Sequence, residues 1–306
     1  MRYTVYILFT LLLLGACKIE DESANDGKIK VVCTTSMIGD CYSSVLGEVA
    51  DVTVLMGAGV DPHLYDPRPS DLKALDEADV IIYNGFHLEG KFIDKFEKLA
   101  KTKKVIALSD FVEDQSFSAS QFANAKDPHF WFDPVMWTKA LTKTTDSLSS
   151  IYPQHQEEIQ EKFKNYSAKI VQAQKEVEQL LLEIPENKRI LITSHDAFNY
   201  FGRFFNFRVE ALQGISTLSE AGIKEVTNLV NFIIEKDVHC IFVETSVSQK
   251  ALKSVKENCA AKGYAVSFGE ELFSDAMGEN GKPEGSYPGM LKANAERIHK
   301  GILSHD

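Results

Sequence analysis

The chain has 306 residues, of which 44% are hydrophobic and 25% charged, enough for one large or two ordinary units with a substantial core. Its formal net charge of −11 argues against a nucleic-acid partner, which would need a basic face. The same charge is compatible with attracting cations.

The first residues read as an export signal. Arg2 gives a short positive start, and Val5 to Leu14 is an apolar run too short to span a bilayer. The run ends in Leu14-Gly15-Ala16-Cys17, which resembles a bacterial lipobox. Residues 1–16 are then a signal peptide, and Cys17 is the lipidated first residue of the mature chain. The plainer alternative is an ordinary signal with a chance cysteine. Residues 17–28, rich in Asp, Glu, Ser and Asn, predict a flexible tether to the lipid bilayer. The expected location is extracytoplasmic, on the periplasmic side or surface of a bacterial membrane. No other stretch is apolar enough to cross one.

From Ile29 the chain alternates strands and helices. Strands are predicted at Ile29–Thr34, Val52–Met56, Val80–Tyr83 and Val105–Leu108. Helices are predicted at Ile38–Val49, from Ser70 as cap through Ala78, and at about Glu89–Ala100. This pattern marks a parallel sheet with helices outside it. Ser109 to Lys126 is polar and reads as a surface loop. Pro134 then opens a helix to about Leu148, so residues 29–148 form a first α/β lobe.

Residues 153–184 differ in character. Ile159, Phe163, Tyr166, Ile170, Ala173, Val177, Leu180 and Ile184 recur at alternating spacings of four and three, which makes one face of a long helix apolar. At the α-helical rise this is a rod of roughly 45 Å. A coiled-coil dimer would use that face between chains; a connecting helix would lay it across both lobes of its own chain. The second reading is preferred because a complete set of strands lies on either side, and the chain is taken as a monomer. Residues 188–306 repeat the alternation as a second lobe. Its strands are predicted at Arg189–Thr193, Phe207–Leu212, Cys240–Glu244 and Tyr264–Phe268. Its helices are predicted at Asp196–Phe205, Glu220–Lys236, Gln249–Lys262 and Tyr287–Leu303.

Two segments share an unusual grammar: Asp61-Pro62-His63-Leu64-Tyr65 and Asp127-Pro128-His129-Phe130-Trp131. Proline stiffens each turn and extends the residue before it, so each imidazole is held as a metal ligand should be. His63 follows the second strand and His129 the fourth. His195 follows the first strand of the second lobe, and Asp275 the last. Ligands bind at the carboxyl ends of strands in parallel α/β sheets. If the lobes face each other, three neutral imidazoles and one carboxylate converge, a set suited to Zn²⁺. Each residue has a plainer reading, as a turn histidine, a residue before a helix or a turn-capping carboxylate. Asp61, Asp127, Asp196 and Glu244 are candidates to orient the imidazoles rather than to bind metal. The thiols Cys240 and Cys259 could meet as a disulfide between a strand and its returning helix; buried free thiols are the alternative.

The two Asp-Pro-His segments, Ser194-His195-Asp196-Ala197-Phe198 and Leu272-Phe273-Ser274-Asp275-Ala276-Met277-Gly278 resemble, in order, the motifs of the metal-specific solute-binding lipoproteins of ABC transporters, the TroA-like family. Gln213-Gly214-Ile215-Ser216-Thr217 and Asn84-Gly85-Phe86-His87-Leu88-Glu89 are similar too. The resemblance implies two α/β lobes joined by one long helix, a metal held by His63, His129, His195 and Asp275, and delivery of that ion to a membrane permease. Members tuned to manganese often carry glutamate where this chain has His195, which points to Zn²⁺ with Mn²⁺ as the alternative. Zinc members often carry a histidine-rich loop, yet Ser109–Lys126 has no histidine. The function implied is metal capture for import, without catalysis. A surface adhesin is an alternative. A secreted zinc hydrolase is the remaining one, for which no His-Glu-x-x-His motif is present.

Overall fold

A computed structural model of the chain describes residues 27–112 and 126–304. The expected signal peptide, Cys17 and the tether up to residue 26 lie outside the described residues, as does most of the loop over 109–126.

In the first lobe, β1 (Ile29–Thr35), β2 (Ala50–Met56), β3 (Val80–Tyr83) and β4 (Lys104–Ala107) form one parallel sheet in the order β2-β1-β3-β4. Val31 lies opposite both Val52 and Val80, so the apolar runs of three strands stand side by side. Helices α1 (Ser36–Leu46), α2 (Pro69–Glu77) and α3 (Ile93–Leu99) connect them. The cap of α2 differs from the expectation. Pro69 occupies the first helical position, and it is the Asp71 carboxylate that accepts from Arg68 N at 2.8 Å, so Ser70 is already inside the helix.

Helix α4 (Pro134–Ile151) starts as its proline demands, with Asp133 accepting from Met136 N at 2.9 Å. Helix α5 (Gln156–Leu181) is the long helix. Its buried face runs Ile159, Phe163, Tyr166, Ile170, Ala173, Val177 and Leu181; the stripe turns onto Leu181 where Leu180 was expected. Helices turn every 3.6 residues, so a strict alternation of four and three drifts off the face. This face packs on α1, α4 and α9 (Tyr287–Leu303) of the same chain. It is therefore a connecting helix and not a coiled-coil seam.

The second lobe carries β5 (Ile190–His195), α6 (Asn199–Phe205), β6 (Arg208–Gln213), α7 (Ile223–Glu235), β7 (Cys240–Ile241), α8 (Lys250–Ala261) and β8 (Ser267–Phe268). β5 pairs with β6 and β7 with β8, both in parallel, and Phe242 N bonds Ile192 O at 2.8 Å to join the two pairs. β7 and β8 are shorter than expected because the chain beyond Ile241 bonds to other segments. Leu272 N, for example, donates to Val243 O at 2.9 Å.

Side chains alternate along a strand, and this decides the cysteines. Cys240 and Phe242 join the large core under α9, whereas Ile241 and Val243 join a separate core with Cys259 of α8. The expected Cys240–Cys259 pairing is thus not made. Both thiols, like Cys33 and Cys41, are free and buried. The large core is shared by both lobes. It runs from Val31 and Ile38 through Trp131, Phe132 and Trp137 to Phe198, Phe201 and Tyr287. Phe132 of the first lobe stacks on Phe198 of the second with centroids 4.5 Å apart.

Candidate metal centre

The four predicted ligands meet between the lobes. His195 ends β5, whereas His63, His129 and Asp275 lie on the connections that follow β2, β4 and β8, so all four come from the carboxyl ends of parallel strands and meet in one crevice. His129 is the hub. Its Nε2 lies 3.4 Å from Nε2 of His63 and 3.4 Å from Nε2 of His195. Asp275 Oδ1 is 3.3 Å from His129 Nε2, and Oδ2 is 3.3 Å from His195 Nε2. Ligand atoms about 2.05 Å from a tetrahedral ion stand about 3.3 Å from one another. The observed edges match that figure. All four donors lie within 4.8 Å of one another, and the wider pairs leave room for Asp275 to use both oxygens.

Burial isolates the cluster. His129 and His195 are 0% exposed, Asp275 2% and His63 6%. Asp275 Oδ1 makes no well-directed hydrogen bond among the described residues and meets His129 Nε2 only as an ion-pair contact at 3.3 Å, a placement that suits a bound cation.

The carboxylates around the ring differ in what they do. Asp127 Oδ1 accepts from His129 Nδ1 at 2.7 Å and from His129 N at 2.9 Å. Glu244 accepts from His195 Nδ1, and its other oxygen takes Ser194 N at 2.8 Å and His195 N at 2.9 Å. Both therefore fix a tautomer that presents Nε2 to the crevice. Asp61 touches no ring; it holds His63 N at 2.8 Å and Thr217 Oγ1 at 2.6 Å. Asp196 stands one step further out. Its carboxylate meets Asn199, whose amide in turn donates to Asp127 Oδ2 at 3.1 Å.

Electrostatics divide the histidines. Burial, with help from the two other imidazoles, holds His63 down at about 3, against the pull of Asp275. Burial also disfavours a charged His129, but Asp127 and Asp275 outweigh it and lift this group to about 9. His195 behaves alike, with burial opposed by Glu244 and Asp275, and ends well above the usual imidazole range. Burial would raise Asp275, but the three imidazoles hold it well below the usual carboxylate range. Without metal at neutral pH, the site therefore keeps its negative carboxylate beside protonated His129 and His195. An incoming dication must displace those protons.

Other groups hold the loops that carry the ligands, and sequence reasoning did not assign them. Asn84 Nδ2 donates to Pro128 O at 3.0 Å, which ties the turn before His129 to the end of β3. Glu89, 2% exposed, accepts from Thr34 Oγ1 and Asn84 N, both at 2.7 Å, and from Gly85 N at 3.1 Å. It braces a turn in which Gly85, Phe86 and His87 all have positive φ, of 90°, 50° and 63°. Trp131 Nε1 donates to Ser274 O at 3.0 Å, binding the His129 loop to the Asp275 loop. The Asn84-to-Glu89 segment stood out in the sequence, but its partners are set by tertiary contacts.

The chain is similar to known metal-binding proteins. The profile of the family described as "ZnuA: Zinc-uptake complex component A periplasmic" matches residues 31–301. The chain is 37% identical over 297 residues to the manganese-binding lipoprotein MntA of Bacillus subtilis, covering 97% of each protein. It is 36% identical over 280 residues to the zinc-binding protein TroA of Treponema pallidum, covering 90% of each. The solved structure of that periplasmic zinc-binding TroA superposes with a TM-score of 0.87, covering 90% of this chain and 99% of the other.

Proposed function

We propose, from the premise that this chain belongs to the ZnuA family of periplasmic zinc-uptake components, that it captures one Zn²⁺ between its lobes through His63, His129, His195 and Asp275 and surrenders it to a membrane permease for import. It is a metal-binding solute-binding component of an ABC transporter, as relatives matched over nearly its whole length are named. The observation that carries the ion assignment is the donor set: three imidazole nitrogens and one carboxylate, all buried, with four of their separations at 3.3–3.4 Å. Nitrogen-rich sites rank Zn²⁺ above Mn²⁺ in raw affinity. Manganese stays a second reading because a relative matched over 97% of its length is named as manganese-binding.

The chain acts by holding, not by catalysis. Four protein ligands leave no open coordination position for an activated water, which a zinc hydrolase needs. The adhesin alternative is set aside, since the relatives that match nearly the whole chain are named for metal binding. One chain supplies all four ligands, so a monomer suffices. Lipid attachment at Cys17 is supported by the Leu14-Gly15-Ala16-Cys17 motif and by a relative named as a lipoprotein. Among the described residues no helix is long and apolar enough to cross a membrane.

One fractionation experiment tests both parts. Expressed in a bacterial host, the chain is expected in the membrane fraction, and Cys17→Ser is expected to release it. Both forms, stripped and equilibrated with equimolar Zn²⁺ and Mn²⁺, should retain one zinc per chain. Retention of manganese alone would overturn the zinc assignment, and a membrane-bound Cys17→Ser variant would overturn the anchor.

A further inference from the structure

We infer that helix α9 tunes the ion preference of the site: Tyr287 and Asn294, two turns apart on its buried face, hold the His129 and Asp275 loops at a spacing that suits zinc. That role rests on the four-ligand reading above and adds two positioning residues to it.

The first support is the make-up of that face. It is apolar at Met290, Leu291, Ala295 and Ile298, but it carries a phenol at Tyr287 and an amide at Asn294. Both polar residues are 0% exposed. A buried amide is costly unless its donors and acceptor are used. Seven residues at 3.6 per turn place the two side chains on one side of the helix, about 10 Å apart along its axis.

The second support is what they hold. Tyr287 Oη donates to Trp131 O at 2.6 Å, two residues past His129. Asn294 takes both backbone groups of Phe273, two residues before Asp275: Oδ1 accepts from Phe273 N at 2.9 Å and Nδ2 donates to Phe273 O at 2.8 Å. Trp131 closes the circuit, since its Nε1 donates to Ser274 O at 3.0 Å. The two ligand loops come from different lobes, and one helix spans them. The start of α9 is itself fixed to the first lobe. Asp40 Oδ2 of α1 accepts from Tyr287 N at 2.9 Å and from Tyr166 Oη of α5 at 2.7 Å.

The third support is the distance that results. His129 Nε2 and Asp275 Oδ1 stand 3.3 Å apart, the edge that a tetrahedral ion with bonds of about 2.05 Å requires. Mn²⁺ favours an octahedral, oxygen-rich shell and needs its donors spread. Asp127 and Glu244 each orient a histidine of their own lobe, so the inter-lobe edge is left to the α9 circuit. Loosening the circuit should therefore harm the ion with short bonds more than the other.

Tyr287→Phe keeps the ring that packs against Trp137 and removes the hydroxyl. Chelator competition, run separately with each ion, is expected to show Zn²⁺ affinity weakened about tenfold, the scale of one buried carbonyl left unpaired. Mn²⁺ affinity should change by less than about threefold, so the zinc-to-manganese ratio falls. Asn294→Gln keeps both amide groups one methylene further from the helix and should lower the ratio too, so the test stands if either variant fails to fold. Ile298→Val trims the same packed face but breaks no hydrogen bond to a ligand loop; it should lower the melting temperature and leave the ratio unchanged. Ratios within about twofold of the unmutated protein in the two polar variants would mark a merely structural role and overturn the assignment to α9. Equal weakening of both ions, or an equal drop in the ratio with Ile298→Val, would overturn it as well. Failure of the unmutated protein to bind Zn²⁺ at all would instead strike the four-ligand reading, and the role of α9 with it.

Discussion

His129→Ala should lower zinc affinity by roughly a hundredfold or more, since a structural zinc site worth about 10–16 kcal/mol divides among four ligands at about 3 kcal/mol each. His129 is the residue to remove because its Nε2 is the one donor within 3.4 Å of the other three ligands. The same variant should change the proton count. In the metal-free protein His129 is lifted to about 9, so near pH 7 it carries a proton that zinc must expel. Calorimetry in two buffers of different ionisation enthalpy should show proton release by the unmutated protein and less by the variant. Zinc affinity should therefore fall as pH drops below about 9, where protons compete for His129. Unchanged affinity, or heats independent of buffer, would count against the assignment.

The same shifts set the stability of the metal-free protein. His129 is raised in the fold, so its contribution is fully present below the ordinary imidazole value and is lost as pH rises through about 9. His63 is depressed to about 3, so its effect has the opposite sense: stability is present above the ordinary value and is lost as pH falls toward 3. The two limits leave a neutral window in which the empty site is least costly.

Glu244→Gln is expected to be the second large effect. Glu244 is 1% exposed and accepts from Ser194 N, His195 N and His195 Nδ1. A glutamine can keep an acceptor on the two backbone groups only by turning its amide N–H toward the imidazole N–H. His195, which Glu244 and Asp275 keep protonated against the cost of burial, then loses a counter-charge. Removing one partner of a buried ion pair costs about 3–5 kcal/mol, and loss of a carboxylate that orients a metal-bound histidine costs about 10–100-fold in affinity. Urea denaturation of the metal-free variant and competition against a chelator measure the two effects. Denaturation midpoints and affinities equal to those of the unmutated protein would show that Glu244 is a bystander.

The sites that could be read from the sequence were those whose chemistry is local. His63 and His129 sit in Asp-Pro-His turns, His195 closes β5, Asp275 lies on the connection after β8, and the strand rule carries all four to one crevice. Helix α5 was legible because its apolar residues keep a helical period over 26 residues. What stayed hidden depends on side-chain direction and on distant partners. Cys240 and Cys259 are neighbours in topology, but strand alternation sends Cys240 to the opposite core. Asp61, Asp127 and Asp196 look alike beside their histidines, yet only Asp127 reaches a ring, because Asp61 is drawn to Thr217 and Asp196 to Asn199. Glu89 offered no local signal of its role, since its partners Thr34 and Asn84 lie on two other segments.

The most direct test is X-ray absorption at the zinc edge on the loaded, purified chain. The account predicts one zinc per chain with three imidazole nitrogens and a carboxylate at about 2.0–2.2 Å, and loss of one imidazole from that shell in His129→Ala. A shell containing sulfur at about 2.3 Å, or a spectrum unaltered by His129→Ala, would mean the ion is held somewhere else.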